Sequence, residues 1–171
     1  MAVNIVLIGM MGAGKTSVGE SLARLTGRQL VDTDSVIEQR HGKISDIFAE
    51  CGEAHFRALE SVLAQKLSEQ DGLIVSTGGG MLLCEKNREN LKANGVLVYL
   101  RAKAETLLSR VGEGDARPLL ADAEFRAANL YRLLNERAPI YEKAADLIVD
   151  TDGKSIEETA GEILVAVEER K

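Results

Sequence analysis

Eight residues, Gly9-Met-Met-Gly-Ala-Gly14-Lys15-Thr16, bring three glycines, a lysine and a hydroxyl into one short run. Glycines let a backbone curl so that successive N–H groups point inward. Such a concavity attracts anions. A helix beginning at about Lys15 adds the positive end of its dipole. The lysine supplies a full charge, and the threonine hydroxyl is a hard oxygen suited to a divalent cation. The spacing is G-x-x-x-x-G-K-[ST], which holds the phosphates of a nucleoside triphosphate. The expected contacts are Gly9, Met11, Gly12, Ala13, Gly14, Lys15, Thr16 and Ser17. Lys15 would reach the β- and γ-phosphates, and Thr16 would ligate Mg²⁺. The motif alone does not separate a kinase from a GTPase or an ATPase.

Other residues narrow the class. GTPases read guanine with N-K-x-D, which is absent, and no D-x-x-G follows a strand. Two aspartates end apolar runs and could support the metal, Asp32 after Gln29-Leu-Val and Asp150 after Leu147-Ile-Val. Pattern alone slightly favours Asp150, whose run is the more hydrophobic. Asp34 lies two residues beyond Asp32, and in an extended segment that spacing turns both carboxylates to one side. The alternative is that Asp34 caps the following helix. Arg57 stands near a helix start, where the dipole disfavours a cation; a solvated surface arginine is the plain alternative. Gly78, Gly79 and Gly80 follow a buried strand, at the carboxyl edge where α/β sheets take ligands. Arg117 sits in Gly112–Ala123, a polar, glycine-bearing stretch without periodicity that reads as a mobile lid. Glu60 can orient Arg57 at i, i+3, although a solvated or packing role is the default for it and for His55.

Alternating strands and helices must position these groups. Val3–Ile8, Gln29–Asp32, Leu73–Ser76, Val96–Leu100 and Leu147–Val149 read as strands. The helix after the glycine loop carries Val18, Leu22 and Leu25 on one face, with Gly27 as its cap. Further helices are expected at Val36–His41, Glu53–Gln70, Lys86–Ala93, Lys103–Val111 and Glu124–Lys143. Ser155-Ile-Glu-Glu158 is a capping box for the last helix, with Ile156, Ala160, Ile163, Leu164 and Val167 inward. Near-continuous apolar strands between helices imply a parallel sheet covered on both faces. The expectation is one α/β domain over 1–171 with about five strands.

At 171 residues, the chain suits one domain with a good core. Aromatics are only 4% with no tryptophan, so that core is aliphatic. A net charge of −6 argues against nucleic acid as a partner. Cys51 and Cys84 have no metal-ligand spacing with His41 or His55, and read as free thiols of a reducing cytoplasm. No apolar run approaches the ~18 residues of a membrane span, and no charged leader opens the chain. A cytoplasmic monomer is the expectation.

GMMGAGKT, Asp32-Thr-Asp34, His55-Phe-Arg57, Gly78-Gly-Gly80, Arg117-Pro-Leu-Leu120, Arg137-x-x-x-Tyr141 and a final Leu-Ile-Val-Asp-Thr occur in that order along nearly the whole chain. Together they resemble shikimate kinase. The resemblance implies a three-layer P-loop domain, similar to nucleoside monophosphate kinases, with sheet order 2-3-1-4-5. It implies that Asp32, not Asp150, supports Mg²⁺. It gives Asp34 to the substrate hydroxyls, as anchor and possible general base, and Arg57 and Arg137 to the substrate carboxylate. Gly78, Gly79 and Gly80 become backbone donors to substrate, and Arg117 the lid arginine on the transferred phosphoryl group. Arg110 and the segment after Asp150 fall beside adenine. The implied reaction moves the ATP γ-phosphoryl to the 3-hydroxyl of shikimate, giving shikimate 3-phosphate in aromatic amino-acid synthesis. A kinase for another polyol acid such as gluconate, and a nucleotide-binding subunit without activity, are the alternatives.

Overall fold

A computed structural model describes residues 2–111 and 126–170. The expected lid, 112–123, and Arg117 within it lie outside the described residues. Strand β1 (Asn4–Ile8) leads through the glycine loop into α1 (Lys15–Thr26). Then come β2 (Leu30–Asp32), α2 (Thr33–His41), α3 (Ile44–Cys51) and α4 (Glu53–Ser68). β3 (Ile74–Ser76), a 3-10 turn (Met81–Leu83), α5 (Glu85–Ala93), β4 (Gly95–Arg101) and α6 (Ala104–Arg110) follow. The chain closes with α7 (Arg126–Ala144), β5 (Leu147–Asp150) and α8 (Ile156–Glu168).

The five strands are parallel in the order β2-β3-β1-β4-β5, as the resemblance implies. β1 is central, with Val6 facing Val75 on one neighbour and Leu97 on the other. Helices cover both faces, so β1 is buried throughout and reads as an apolar run without alternation. Its one polar residue, Asn4, is spent on structure. Asn4 Nδ2 donates to Gln70 O at 2.7 Å and its Oδ1 accepts from Leu73 N at 2.8 Å, tying the end of α4 to β3. The parallel order gathers the carboxyl ends of β1, β2 and β3 at one edge, where the site lies.

Several expectations about elements change. Leu25 is 57% exposed, and Ser21 joins Val18 and Leu22 on the buried face of α1. Ile156 is 42% exposed and lines the cleft described below, so this apolar residue serves the cleft and not the core. The helix α3 escapes sequence reading because it is only eight residues long, has no side-chain cap and sits between Gly42 and Gly52. It packs on α4 through Phe48 and Phe56, whose ring centroids are 5.1 Å apart. The last helix starts as expected, with Ser155 Oγ accepting from Glu158 N at 3.1 Å and Glu158 Oε2 accepting from Ser155 N at 2.7 Å.

Candidate active site

The glycine loop joins the buried end of β1 to α1. Gly14 is left-handed at φ 91°, a conformation that side chains oppose, and its carbonyl accepts from Val18 N at 2.8 Å as the first helical bond. Lys15 is buried. Its Nζ donates to Gly9 O and Met10 O, both at 2.8 Å, so the ammonium is held against its own loop. Arg110 crosses from α6 and donates to Gly12 O and to Thr151 Oγ1, each at 3.3 Å. The loop, α6 and the segment after β5 thus meet where the sequence reading put a nucleotide.

The two candidate metal carboxylates are now separated by geometry. Thr16 Oγ1 donates to Asp32 Oδ2 at 2.7 Å and lies 3.3 Å from Ser76 Oγ. Asp150 is held by a forked pair to Arg101 on the neighbouring strand, at 2.6 and 2.9 Å. Asp32 also caps α2, accepting from Ser35 N at 2.9 Å. Asp34 is therefore neither extended nor a cap: it occupies the first turn of α2. Thr77 donates to Leu7 O at 2.9 Å and serves the sheet.

The triple glycine brings three charged side chains onto one loop. A Cβ built on Gly78 would stand 2.6 Å from Asp34 Oδ1, and one on Gly79 would stand 3.2 Å from Arg137 Nη1. One on Gly80 would clash with the Arg57 guanidinium. A Cβ at Gly78 or Gly80 would therefore push the Asp34 carboxylate or the Arg57 guanidinium out of its present place. The Gly78 N–H is not free for a ligand, because it donates to Thr33 Oγ1 at 2.9 Å. The expectation of a backbone donor to substrate at Gly78 thus meets an N–H already engaged by Thr33. One cleft of about 600 Å³ contains the glycine loop, Asp32, Asp34, Arg57, Arg137 and Gly78–Gly80.

Glu60, for which the sequence suggests a solvated or packing role, is central to the geometry. It is 1% exposed and its Oε2 accepts from Arg57 Nη1 at 2.8 Å. Its Oε1 is buried with no hydrogen-bond partner among the described residues. Burial pushes the carboxyl up to about 7 despite the pull of Arg57, and Asp34 adds to the rise. Burial works against the Arg57 cation too, but Glu60 and Glu53 more than offset it and hold its pKa above the ordinary arginine value. The signal was the i, i+3 spacing; what the sequence could not show is that α4 turns this face inward.

A stability prediction follows. A carboxyl with a raised folded pKa takes up a proton on folding. Its contribution is full below the ordinary value of 4.5 and is lost as pH rises through about 7. Wild type should therefore lose about 3 kcal/mol relative to Glu60→Gln across that window. Urea titrations of both proteins at steps from acid to neutral pH measure the difference; parallel curves would show that Glu60 titrates like an exposed carboxyl.

The family model for shikimate kinase matches residues 11–168. The chain belongs to the shikimate kinase family. Shikimate kinase of Chromobacterium violaceum is 42% identical over 165 residues, covering 96% of this chain and 89% of its own. Shikimate kinase of Coxiella burnetii is 44% identical over 168 residues, covering 97% of this chain and 94% of its own. Among solved structures, shikimate kinase from Acinetobacter baumannii in complex with shikimate aligns with TM-score 0.95 at 38% identity, covering 100% of this chain and 96% of that one. A gluconokinase from Sinorhizobium meliloti aligns at TM-score 0.62 and 18% identity, covering 98% and 93%, which speaks for the fold alone. As a shikimate kinase, the protein is an ATP-dependent phosphotransferase acting on a shikimate hydroxyl.

Proposed function

We propose that the cleft transfers the ATP γ-phosphoryl to the 3-hydroxyl of shikimate, with each role assigned as follows. The loop from Gly9 to Gly14, with Lys15, Thr16 and Ser17 at the start of α1, cradles the phosphates. Arg110, resting on the loop beside Thr151, flanks the adenine. Asp34 meets the reacting hydroxyl. Arg57 and Arg137 hold the carboxylate, for which two planar guanidiniums offer forked bonds. Gly79 and Gly80 supply backbone donors. Arg117 answers charge on the transferred group; this last role rests on the resemblance alone.

Thr16 and Asp32 fit Mg²⁺. Their donors are hard oxygens 2.7 Å apart, beside the loop that would hold the phosphates. Among the described residues no group of three or more His, Cys, Asp or Glu could form an all-protein metal site. Mg²⁺ rarely uses one; it is held by one or two protein oxygens together with substrate phosphates. Thr16 and Asp32 would hold it, and it would supply positive charge to offset that of the phosphates.

We read the protein further as a cytoplasmic monomer. Both cysteines are free, which supports a reducing compartment.

The observation that carries the substrate assignment is the triple glycine, which fits an acid-binding pair of arginines and a carboxylate onto one loop next to the phosphate cradle. The experiment is ADP release with shikimate, gluconate and nucleoside monophosphates as acceptors. Shikimate alone should drive it; faster turnover with gluconate would overturn the assignment.

A further inference from the structure

Tyr141 has no place in the roles above, yet its hydroxyl touches the site from behind. The residue is 1% exposed on α7, one turn beyond Arg137, and it does not line the cleft. Its ring lies on Tyr99, with centroids 5.2 Å apart. Its hydroxyl donates to Gly79 O. Burial pushes that hydroxyl up to about 12, against the nearby Arg137 cation, so it remains a donor at any working pH.

The partner it holds is an unusual one. A peptide unit between two glycines turns over easily, because neither residue restricts φ to one sign. Turning it over exchanges a donor for an acceptor. All described peptides are trans, and in a trans unit the C=O of one residue and the N–H of the next point to opposite sides. Holding the Gly79 carbonyl back against α7 therefore turns the Gly80 N–H away from α7. Gly79 and Gly80 both line the cleft, and Gly80 abuts the Arg57 guanidinium. In the opposite setting the Gly79 carbonyl would face the cleft on the Arg57 side and repel a bound carboxylate.

We propose that Tyr141 is a positioning residue: its hydroxyl locks the Gly79–Gly80 peptide with the N–H toward the cleft, completing the Arg57–Arg137 receptor for the substrate carboxylate. This rests on the reading of the cleft as the shikimate site.

Tyr141→Phe tests it, because it removes one oxygen and keeps the ring. Calorimetric titration should show shikimate binding weakened about tenfold, the worth of one hydrogen bond, with the affinity for ATP unchanged. The KM for shikimate should rise more than kcat falls. In the wild type the Gly80 amide resonance should shift on adding shikimate, and in Tyr141→Phe that shift should shrink. A lower melting temperature with shikimate affinity within twofold of wild type would overturn the proposal and leave Tyr141 a packing residue. Arg57→Ala, titrated in parallel, separates the two levels. If it weakens shikimate binding and Tyr141→Phe does not, the positioning role alone is wrong. If Arg57→Ala also binds like wild type, the carboxylate site is elsewhere and both readings fall.

Discussion

Replacing Lys15 with alanine should lower turnover by roughly 10²–10³-fold, the cost of removing one positioned group from charge that builds in a transition state. The protein carries a net charge of −6, so its mean field repels a triphosphate and its cations must act locally. Lys15 is 8% exposed at the base of the loop, where its charge is less screened than on the surface. The same burial gives the residue a second duty. Its Nζ bonds to Gly9 O and Met10 O tie the loop to itself. Loss of the ammonium removes those partners, and stability should fall by about 1–3 kcal/mol. Circular dichroism and a melting curve should therefore report a native but less stable protein, while ADP release with saturating shikimate collapses. A folded variant that turns over near the wild-type rate would remove Lys15 from the catalytic centre.

The parts legible in the sequence were those whose physics is local. The glycine loop needs only eight adjacent residues and a strand before it, and the structure reproduces that arrangement. The capping box at Ser155 is equally local. Convergence was not legible: Arg57 and Arg137 are 80 positions apart in sequence, and no periodicity says that α4 and α7 deliver them to one loop. Apolar pattern favoured Asp150 over Asp32, because a more hydrophobic run looks like a better strand. In the fold β5 is an edge strand whose aspartate is taken by Arg101, while the short β2 ends beside Thr16. Both β2 and β5 are edge strands, and hydrophobicity carried no information about which strand end faces the loop. The role of Glu60 is hidden in the sequence for a related reason. A glutamate on an amphipathic helix is solvated unless its face of the helix is turned inward; α4 buries this one, with Arg57 one turn earlier as its partner.

Asp34→Asn is expected to reduce kcat by roughly 10²–10⁴, the range associated with a positioned proton acceptor, while shikimate affinity changes only a few-fold. Asparagine keeps the shape and one acceptor oxygen, so it can still hold a hydroxyl. It cannot take the proton that the hydroxyl must lose as it attacks phosphorus. The position suits that duty. Asp34 is in the first turn of α2, where the helix dipole favours a carboxylate, and its Oδ1 reaches the space left by the missing Cβ of Gly78. The substitution leaves the cap of α2 intact, because Asp32 and not Asp34 supplies it. Loss of the dipole contribution costs about 0.3–1 kcal/mol, too little to unfold the domain. Rapid-quench measurement of the chemical step, alongside calorimetric titration of shikimate, separates two outcomes. A large fall in kcat with near-normal binding makes Asp34 the group that receives the proton. A tenfold or greater loss of affinity with kcat almost intact would make it an anchor for the hydroxyls, and the positioning of two substrates in line, with charge answered by Lys15, would then carry the catalysis.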